Sequence, residues 1–230
     1  MTTFLPSTHG FRFSNSDWPN VPLEEIELPL GGRIPIGDAG NGLCGGMTFA
    51  ARDYAASGLP VPNLAEAPGD GPLYDYVVHR LIDSFHLPSG VGRYFDWMNR
   101  PDRDGGLPIP GLHRRGVRSL TVLEELPQVL TEIDHRGTSC LGLVVARGLD
   151  PRDLGRNHQV LAYGYRRSGR HVSVRVYDPN DPGDDTVTLH LRTDRTGREL
   201  PVEYDGSGDM VVRGFFRVGY AAARPPVVTV

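Results

Sequence analysis

The order in which helical and strand patterns occur along the chain is the feature that most constrains its fold. Segments with apolar residues at helical spacing occur between residues 41 and 137, and short apolar or alternating segments follow between residues 138 and 220. Helices and strands are therefore segregated, and no strand–helix–strand unit repeats. This predicts an α+β fold in which an N-terminal helical lobe packs against a C-terminal antiparallel β-sheet or barrel lobe. We expect the 230 residues to form a single domain.

The helical half contains four predicted helices. The last of them begins at Thr121, because Thr121 and Glu124 have the spacing of a capping box. The third helix contains Tyr94, Phe95 and Trp97, whose helical spacing is more typical of core residues than of a substrate cleft. The predicted helices cover residues 44–57, 72–85, 90–99 and 121–136.

Other segments are predicted as an arm, a loop, a tail and five strands. Residues 1–40 are interrupted by Pro and Gly, so we predict an extended arm with a short strand at Ile26–Leu30. The loop Arg100–Gly116 is long enough to be a lid or specificity element, and residues 221–230 form a tail. The predicted strands are Thr138–Ala146, His158–Arg167, His171–Asn180, Thr186–Arg192 and Met210–Tyr220.

Composition and charge argue against several classes of partner. The net charge of −4 gives no general attraction to nucleic acid or to an anionic membrane surface. No apolar run has the length of a membrane span and the N-terminus lacks the pattern of a signal peptide, so we expect a cytoplasmic protein. All 24 basic residues are arginines, which excludes a catalytic lysine. Asp181–Asp185 lacks the ligand spacing of a calcium loop, and we expect neither a metal nor a cofactor.

Cys44 is the first candidate for a catalytic residue because it lies where a predicted helix begins. The helix dipole and the unpaired N–H groups there favour the thiolate and can bind an oxyanion. Alternatively, Cys44 is a buried small apolar residue, and Gly42, Gly45 and Gly46 only form a tight turn. We prefer the nucleophile, because burial of the thiol would leave this glycine cluster unexplained. Cys140 lies inside an apolar strand, where a buried free thiol is expected.

A thiolate nucleophile needs a base, and His158 is the histidine best placed to be one. It opens an apolar strand after a polar loop, which is a position that lines a cleft. Asp178 ends the following strand, and in an antiparallel pair these two strand ends are neighbours. Asp178 is therefore the predicted orienting group for the imidazole, with Asn180 as a second candidate. The alternative is an edge histidine beside an ordinary turn.

The order of these residues resembles that of the papain-like cysteine peptidase superfamily. The matching segments are GLCGGM, NHQVLAYGY and VYDPN, and the pairing of His with Asp-Pro is most similar to the peptidase domains of bacteriocin-exporting transporters and their stand-alone relatives. The resemblance extends over residues 38–220. It implies a papain-like fold with the active site between the two lobes. It also implies that Cys44 is the nucleophile, His158 the general base and then acid, and Asp178 the orienting group.

One position departs from the family pattern. The family usually has a Gln about six residues before the Cys, and its amide donates to the oxyanion. Asp38 occupies this position, and its carboxylate would repel an oxyanion. Asn41 is a substitute donor, with the Cys44 backbone N–H as the second one. Loss of one such donor lowers the rate by a factor of roughly a hundred to a thousand.

Three functions are compatible with this sequence. The first is a thiol hydrolase, of the cysteine peptidase or amidase type, that acts on a peptide, amide or thioester through an acyl-enzyme on Cys44. The second is an acyltransferase or cyclase of a biosynthetic pathway that uses the same triad and passes the acyl group to an amine or alcohol. The third is a non-catalytic papain-like binding protein, for which Asp38 is the best support. The sequence leaves the oligomeric state open.

Overall fold

The fold is taken from a computed structural model of the chain. It describes residues 4–23, 26–27, 33–34, 39–86, 89–106, 113–194, 202–208 and 210–228.

Helices occupy most of the first half of the described chain. One helix ends at Ala56, before Gly58 with its positive φ of 66°. Another ends at Arg136, and the following Gly137 forms a left-handed C-cap with a φ of 80°. A π-helical turn at Thr121–Glu125 joins the last two helices. The helices are α1 (Pro6–His9), α2 (Cys44–Ala56), α3 (Gly71–Ser84), α4 (Ser89–Met98), α5 (Val117–Leu120) and α6 (Leu126–Arg136), with 3₁₀ turns at Asn15–Asp17, Ala39–Asn41 and Pro151–Arg156.

A six-stranded antiparallel sheet occupies the second half. Its strands are β5 (Ser139–Val144), β6 (His158–Ser168), β7 (His171–Tyr177), β8 (Thr188–Arg192), β9 (Val202–Tyr204) and β10 (Gly214–Arg217). They are ordered β10-β5-β6-β7-β8-β9, so the last strand returns to pair with β5. Two short antiparallel pairs lie earlier in the chain, β1 (Ile26–Glu27) with β2 (Arg33–Ile34) and β3 (Gly105–Gly106) with β4 (His113–Arg114).

The sheet has an apolar core on each face. Cys140 and Leu161 face α2 and α4, whereas their neighbours Leu141 and Val160 face α6. This alternation follows from the period of two along a strand. Burial of such side chains contributes about 1.5–3 kcal/mol each relative to exposure. The predicted α+β architecture is therefore observed, and it places the start of α2 against the start of β6.

Several details differ from the sequence prediction. The fourth helical segment begins at Val117, and Thr121 forms no capping box, because its hydroxyl exchanges hydrogen bonds with the backbone of Phe215. The strand Val202–Tyr204 was not predicted, since three residues carry too little pattern. Of the predicted strand Ile26–Leu30, Ile26–Glu27 is a strand, and residues 28–30 lie outside the described residues.

The N-terminal residues pack more tightly than an extended arm would. Phe4, Phe11, Phe13 and Trp18 are buried in the core beside α2, and α1 adds one helical turn. The prediction of an extended arm is therefore wrong for residues 4–18, because their aromatic side chains bury apolar surface. No helix among the described residues has the length and apolarity needed to cross a membrane.

Candidate active site

Cys44 is the first residue of α2, and its side chain is partly exposed. The chain turns into the helix at Gly42, which has a positive φ of 97° that other residues rarely adopt. The N-cap residue Leu43 supplies no side-chain hydrogen bond to the first turn. The first backbone N–H groups of a helix have no partner inside it. The Leu43 N–H, directly before Cys44, donates to the Asn15 side chain.

His158 and Asp178 are brought together by adjacent strands, as the sequence predicts. His158 is the first residue of β6, and Asp178 directly follows the last residue of β7, its antiparallel neighbour. The imidazole Nε2 lies 2.7 Å from the Asp178 Oδ1, and both side chains are buried. Because a carboxylate can only accept, Nε2 carries the proton of this hydrogen bond.

The second nitrogen of the His158 ring is the one available to the nucleophile. Cys44 lies close enough to His158 for its charge to act on the ring, and Nδ1 is the ring nitrogen that the bond to Asp178 leaves available. Burial alone would lower the pKa of His158, but the charges of Asp178 and Cys44, with the hydrogen bond from the ring to Asp178, more than offset it. The pKa of His158 therefore lies well above 6.5, which favours an imidazolium beside the Cys44 sulfur.

The Asp178 carboxylate is held by three donors. Its Oδ1 accepts hydrogen bonds from His158 Nε2 and, at 2.7 Å, from the backbone N–H of Asn180, while its Oδ2 accepts one from the Tyr204 hydroxyl. Burial alone would raise the pKa of Asp178, but the positive charge of His158 and these hydrogen bonds lower it below its usual value. Asp178 is therefore ionised and fixed in orientation, although it is fully buried.

The remaining predicted site residues have different positions. Asn180 does not hold the imidazole, since Asp178 does; its side-chain Nδ2 lies 3.5 Å from His158 Nε2, and both atoms are donors. Asn41 ends the 3₁₀ turn Ala39–Asn41, three residues before the nucleophile. Asp38 lies outside the described residues. The predictions that Asn41 donates to an oxyanion and that Asp38 would repel one stay predictions.

Three residues near the triad were missed by sequence reasoning. Asn15 contacts both the start of α2 and the turn after Asp178, and no local pattern in residues 1–40 marked it. Tyr204 lies on the unpredicted strand β9. Tyr94 is buried in the core as predicted, yet its hydroxyl lies beside the Gln159 amide, and burial together with the charge of Cys44 raises its pKa. The helical spacing of the aromatic residues predicts that Tyr94 is buried, but it does not predict that Tyr94 lies near Gln159 and Cys44.

The glycines after Cys44 have a packing role that the sequence did not reveal. A Cβ at Gly46 would overlap the Val77 carbonyl oxygen on α3, and one at Gly45 would overlap the Ser84 hydroxyl. These two glycines allow α2 and α3 to approach closely. The cluster is therefore explained without a substrate, and the case for Cys44 as nucleophile rests on its position beside His158.

The second cysteine has a contrasting environment. Cys140 is fully buried, and the Arg52 Nη1 lies 3.5 Å from its Sγ. Burial raises the pKa of Cys140 to about 11, although the nearby Arg52 acts in the opposite direction. Cys140 is thus a buried free thiol, as predicted, and it offers an internal reference for the reactivity of Cys44.

Two cavities lie at different distances from Cys44, and neither is lined by Cys44 or His158 themselves. The larger, about 630 Å³, is lined in part by Arg52 and Ala55, near the C-terminal end of α2. That end lies about 16 Å along the helix axis from Cys44, at about 1.5 Å per residue. The smaller, about 350 Å³, is lined in part by Ser84 and Tyr94, which border Gly45 and Cys44. Proximity to the nucleophile favours the smaller cavity as the candidate subsite, despite its size.

Within the described ranges, no group of three or more His, Cys, Asp or Glu side chains is arranged to hold a metal ion. No protein-family model, curated protein or solved structure matches the chain. Inferences about function therefore depend on the geometry of the site itself.

Proposed function

We propose that the protein is a thiol hydrolase that cleaves a peptide or amide bond through an acyl-enzyme on Cys44. The observation that carries this proposal is the buried hydrogen bond of His158 to Asp178, with Cys44 beside the same ring at a helix N-terminus. An ion pair of thiolate and imidazolium, oriented by a buried carboxylate, is the arrangement that nucleophilic thiol catalysis needs. The order of the three residues on a helix and two adjacent strands also favours a papain-like fold.

In the first half of the reaction, the Cys44 sulfur attacks the substrate carbonyl carbon and a C–S bond forms. The carbonyl oxygen becomes an oxyanion, which the backbone N–H groups at the start of α2 stabilise. His158 then donates its Nδ1 proton to the leaving nitrogen. The C–N bond breaks, the amine departs, and the acyl group stays on Cys44 as a thioester.

In the second half, His158 accepts a proton from water as the water oxygen attacks the thioester carbon. The C–S bond breaks, the carboxylic acid departs, and the thiolate and imidazolium are restored. Asp178 stabilises the imidazolium in both halves without taking its proton. Since all steps use groups that this chain supplies, the proposal needs no cofactor for the reaction itself.

An active ester that releases a coloured product tests the proposal. Mixing the protein with 4-nitrophenyl acetate should release a burst of nitrophenol equal to the amount of protein, and mass spectrometry should locate an acetyl group on Cys44. The burst should disappear in Cys44→Ala and slow by about a thousandfold in His158→Ala. Cys140→Ala is the matched control and should retain the burst.

Two results would contradict the proposal: an acetyl group on Cys140 instead of Cys44, or an unchanged burst in His158→Ala. The same experiment separates hydrolysis from acyl transfer. Acyl-enzyme that persists in water but clears when an amine is added would replace hydrolysis by transfer to an amine. Acyl-enzyme that clears in water alone supports the hydrolase.

A further inference from the structure

Asn15 joins the two parts of the candidate site through three hydrogen bonds. Its side-chain Oδ1 accepts from the backbone N–H of Leu43 at 2.6 Å, directly before the nucleophile. Its Nδ2 donates to the Asn180 Oδ1 at 3.2 Å, and its own backbone N–H donates to the carbonyl of Pro179 at 2.8 Å. Asn15 is buried, so little water is available to replace these bonds.

The donors and acceptors fix the orientation of both side-chain amides. The Leu43 N–H can only donate, so the atom of Asn15 that faces it must be the oxygen. The Asn15 nitrogen then faces Asn180, whose oxygen must point back to it. The Asn180 nitrogen is thereby turned towards His158, 3.5 Å from Nε2, where it covers the bond between His158 and Asp178.

We infer that Asn15 is a positioning residue that holds the start of α2 at a set distance from the turn after Asp178, and so holds Cys44 against His158. This inference rests on the proposed function. The nucleophile lies on a helix, whereas its base and orienting residue lie on the sheet. Asn15 belongs to neither, and it bonds to the backbone next to each.

Another hydrogen bond between α2 and the sheet lies near the site. The Thr48 hydroxyl on α2 donates to the carbonyl of Gln159 at 3.2 Å, one turn beyond Cys44. That bond attaches α2 to β6, but it does not reach the N-terminal end of the helix. Asn15 restrains the end that carries the sulfur. A displacement of about 1 Å at a reacting group lowers a rate by about a hundredfold, so this restraint matters for chemistry.

The test measures how fast iodoacetamide modifies Cys44 across pH 5 to 9 in the full chain. In Asn15→Leu, which keeps the volume but loses the side-chain bonds, the rate at pH 6.5 should fall at least about tenfold. Asn15→Asp keeps the acceptor for Leu43, and its loss should be smaller, about threefold. The rate at pH 9, where a free thiol also ionises, should change little in both variants.

Thr121→Val is the matched control, because the Thr121 side chain is also buried and also makes two hydrogen bonds, both to the backbone of Phe215 on β10. The free energy of unfolding of this variant should fall, while the rate of Cys44 modification should depend on pH as in the wild type. A folded Asn15→Leu with the wild-type profile would overturn the inference. So would an equal loss in Thr121→Val, which would assign the effect to stability.

If Asn15→Leu does not fold, Asn15→Asp carries the test, and an unchanged rate at pH 6.5 in that variant overturns the inference. Failure of the proposed function has a different signature. It shows in the wild type, as a rate at pH 6.5 no higher than that of His158→Ala, and the positioning role then falls with it. Loss of reactivity in the Asn15 variants alone supports both.

Discussion

Asp178 is the residue on which the orientation of the His158 ring depends most. It is fully buried, and Tyr204 is the donor to its second oxygen. A buried carboxylate that loses a partner bears the full cost of desolvation. Tyr204 therefore helps to fix the orientation of the carboxylate that accepts the hydrogen bond from His158.

Tyr204→Phe should lower the free energy of unfolding by about 1.5–3 kcal/mol, the usual worth of a hydrogen bond to a charged group. Urea unfolding measures this. Tyr165→Phe is the matched control, because the Tyr165 hydroxyl bonds to the exposed Asp134 carboxylate. The free energy of unfolding of that variant should lie within about 0.5 kcal/mol of the wild-type value. Equal losses in the two variants would contradict the importance of burial at Asp178.

At the scale of elements, the close contact between α2 and α3 sets the direction in which α2 presents Cys44. The contact exists because Gly45 and Gly46 leave room for the backbone and side chains of α3. A glycine inside a helix costs about 0.5–1 kcal/mol relative to alanine. At these positions, the packing of the two helices outweighs that cost.

Gly46→Ala should destabilise the protein, because its Cβ would overlap the Val77 backbone oxygen, which cannot move without shifting α3. We expect a loss of about 1–3 kcal/mol, typical of overpacking, in thermal or urea unfolding. Gly92→Ala on α4 is the control, since a Cβ there meets open space. It should be neutral or stabilising by up to about 1 kcal/mol. A tolerated Gly46→Ala would refute the packing explanation.

The elements also show what local sequence can and cannot predict. His158 and Asp178 were found because two adjacent strands with a short turn bring their opposite ends together, which depends only on local pattern. The spacing of Thr121 and Glu124 predicts a capping box and a helix start at Thr121. In the structure, the Thr121 hydroxyl bonds instead to Phe215, 94 residues away. Local rules fail where a distant partner competes for the same group.

At the scale of the whole molecule, both ends of the described chain brace the helices against the sheet. The N-terminal segment reaches the site through Asn15. On the C-terminal side, the buried Asp53 of α2 accepts hydrogen bonds from Arg80 of α3, from the Tyr220 hydroxyl and from the backbone N–H of Ala223. Such a carboxylate is costly to leave unpaired, so these bonds hold α2 in place at its far end.

The contact between Asn15 and Asn180 links positions 165 residues apart, and the sequence of neither segment predicts it. The α+β architecture and the three triad residues followed from segregated patterns and strand ends. The bracing residues did not, because their partners are set only once the chain is folded. For the same reason, the glycine cluster favours a nucleophilic Cys44 in the sequence, whereas Gly45 and Gly46 serve helix packing in the structure.

The central claim is that Cys44 is a nucleophile activated by His158, and peptide-resolved alkylation across pH 5 to 9 tests it most directly. The pKa of His158 is raised, so the ring keeps its proton at neutral pH and loses it only at higher pH. Cys44 should therefore react with iodoacetamide at pH 6 at least about tenfold faster than in His158→Ala. Cys140 in the same sample, with its pKa near 11, should stay unmodified. Equal and slow modification of both cysteines, rising only at alkaline pH, would contradict the account.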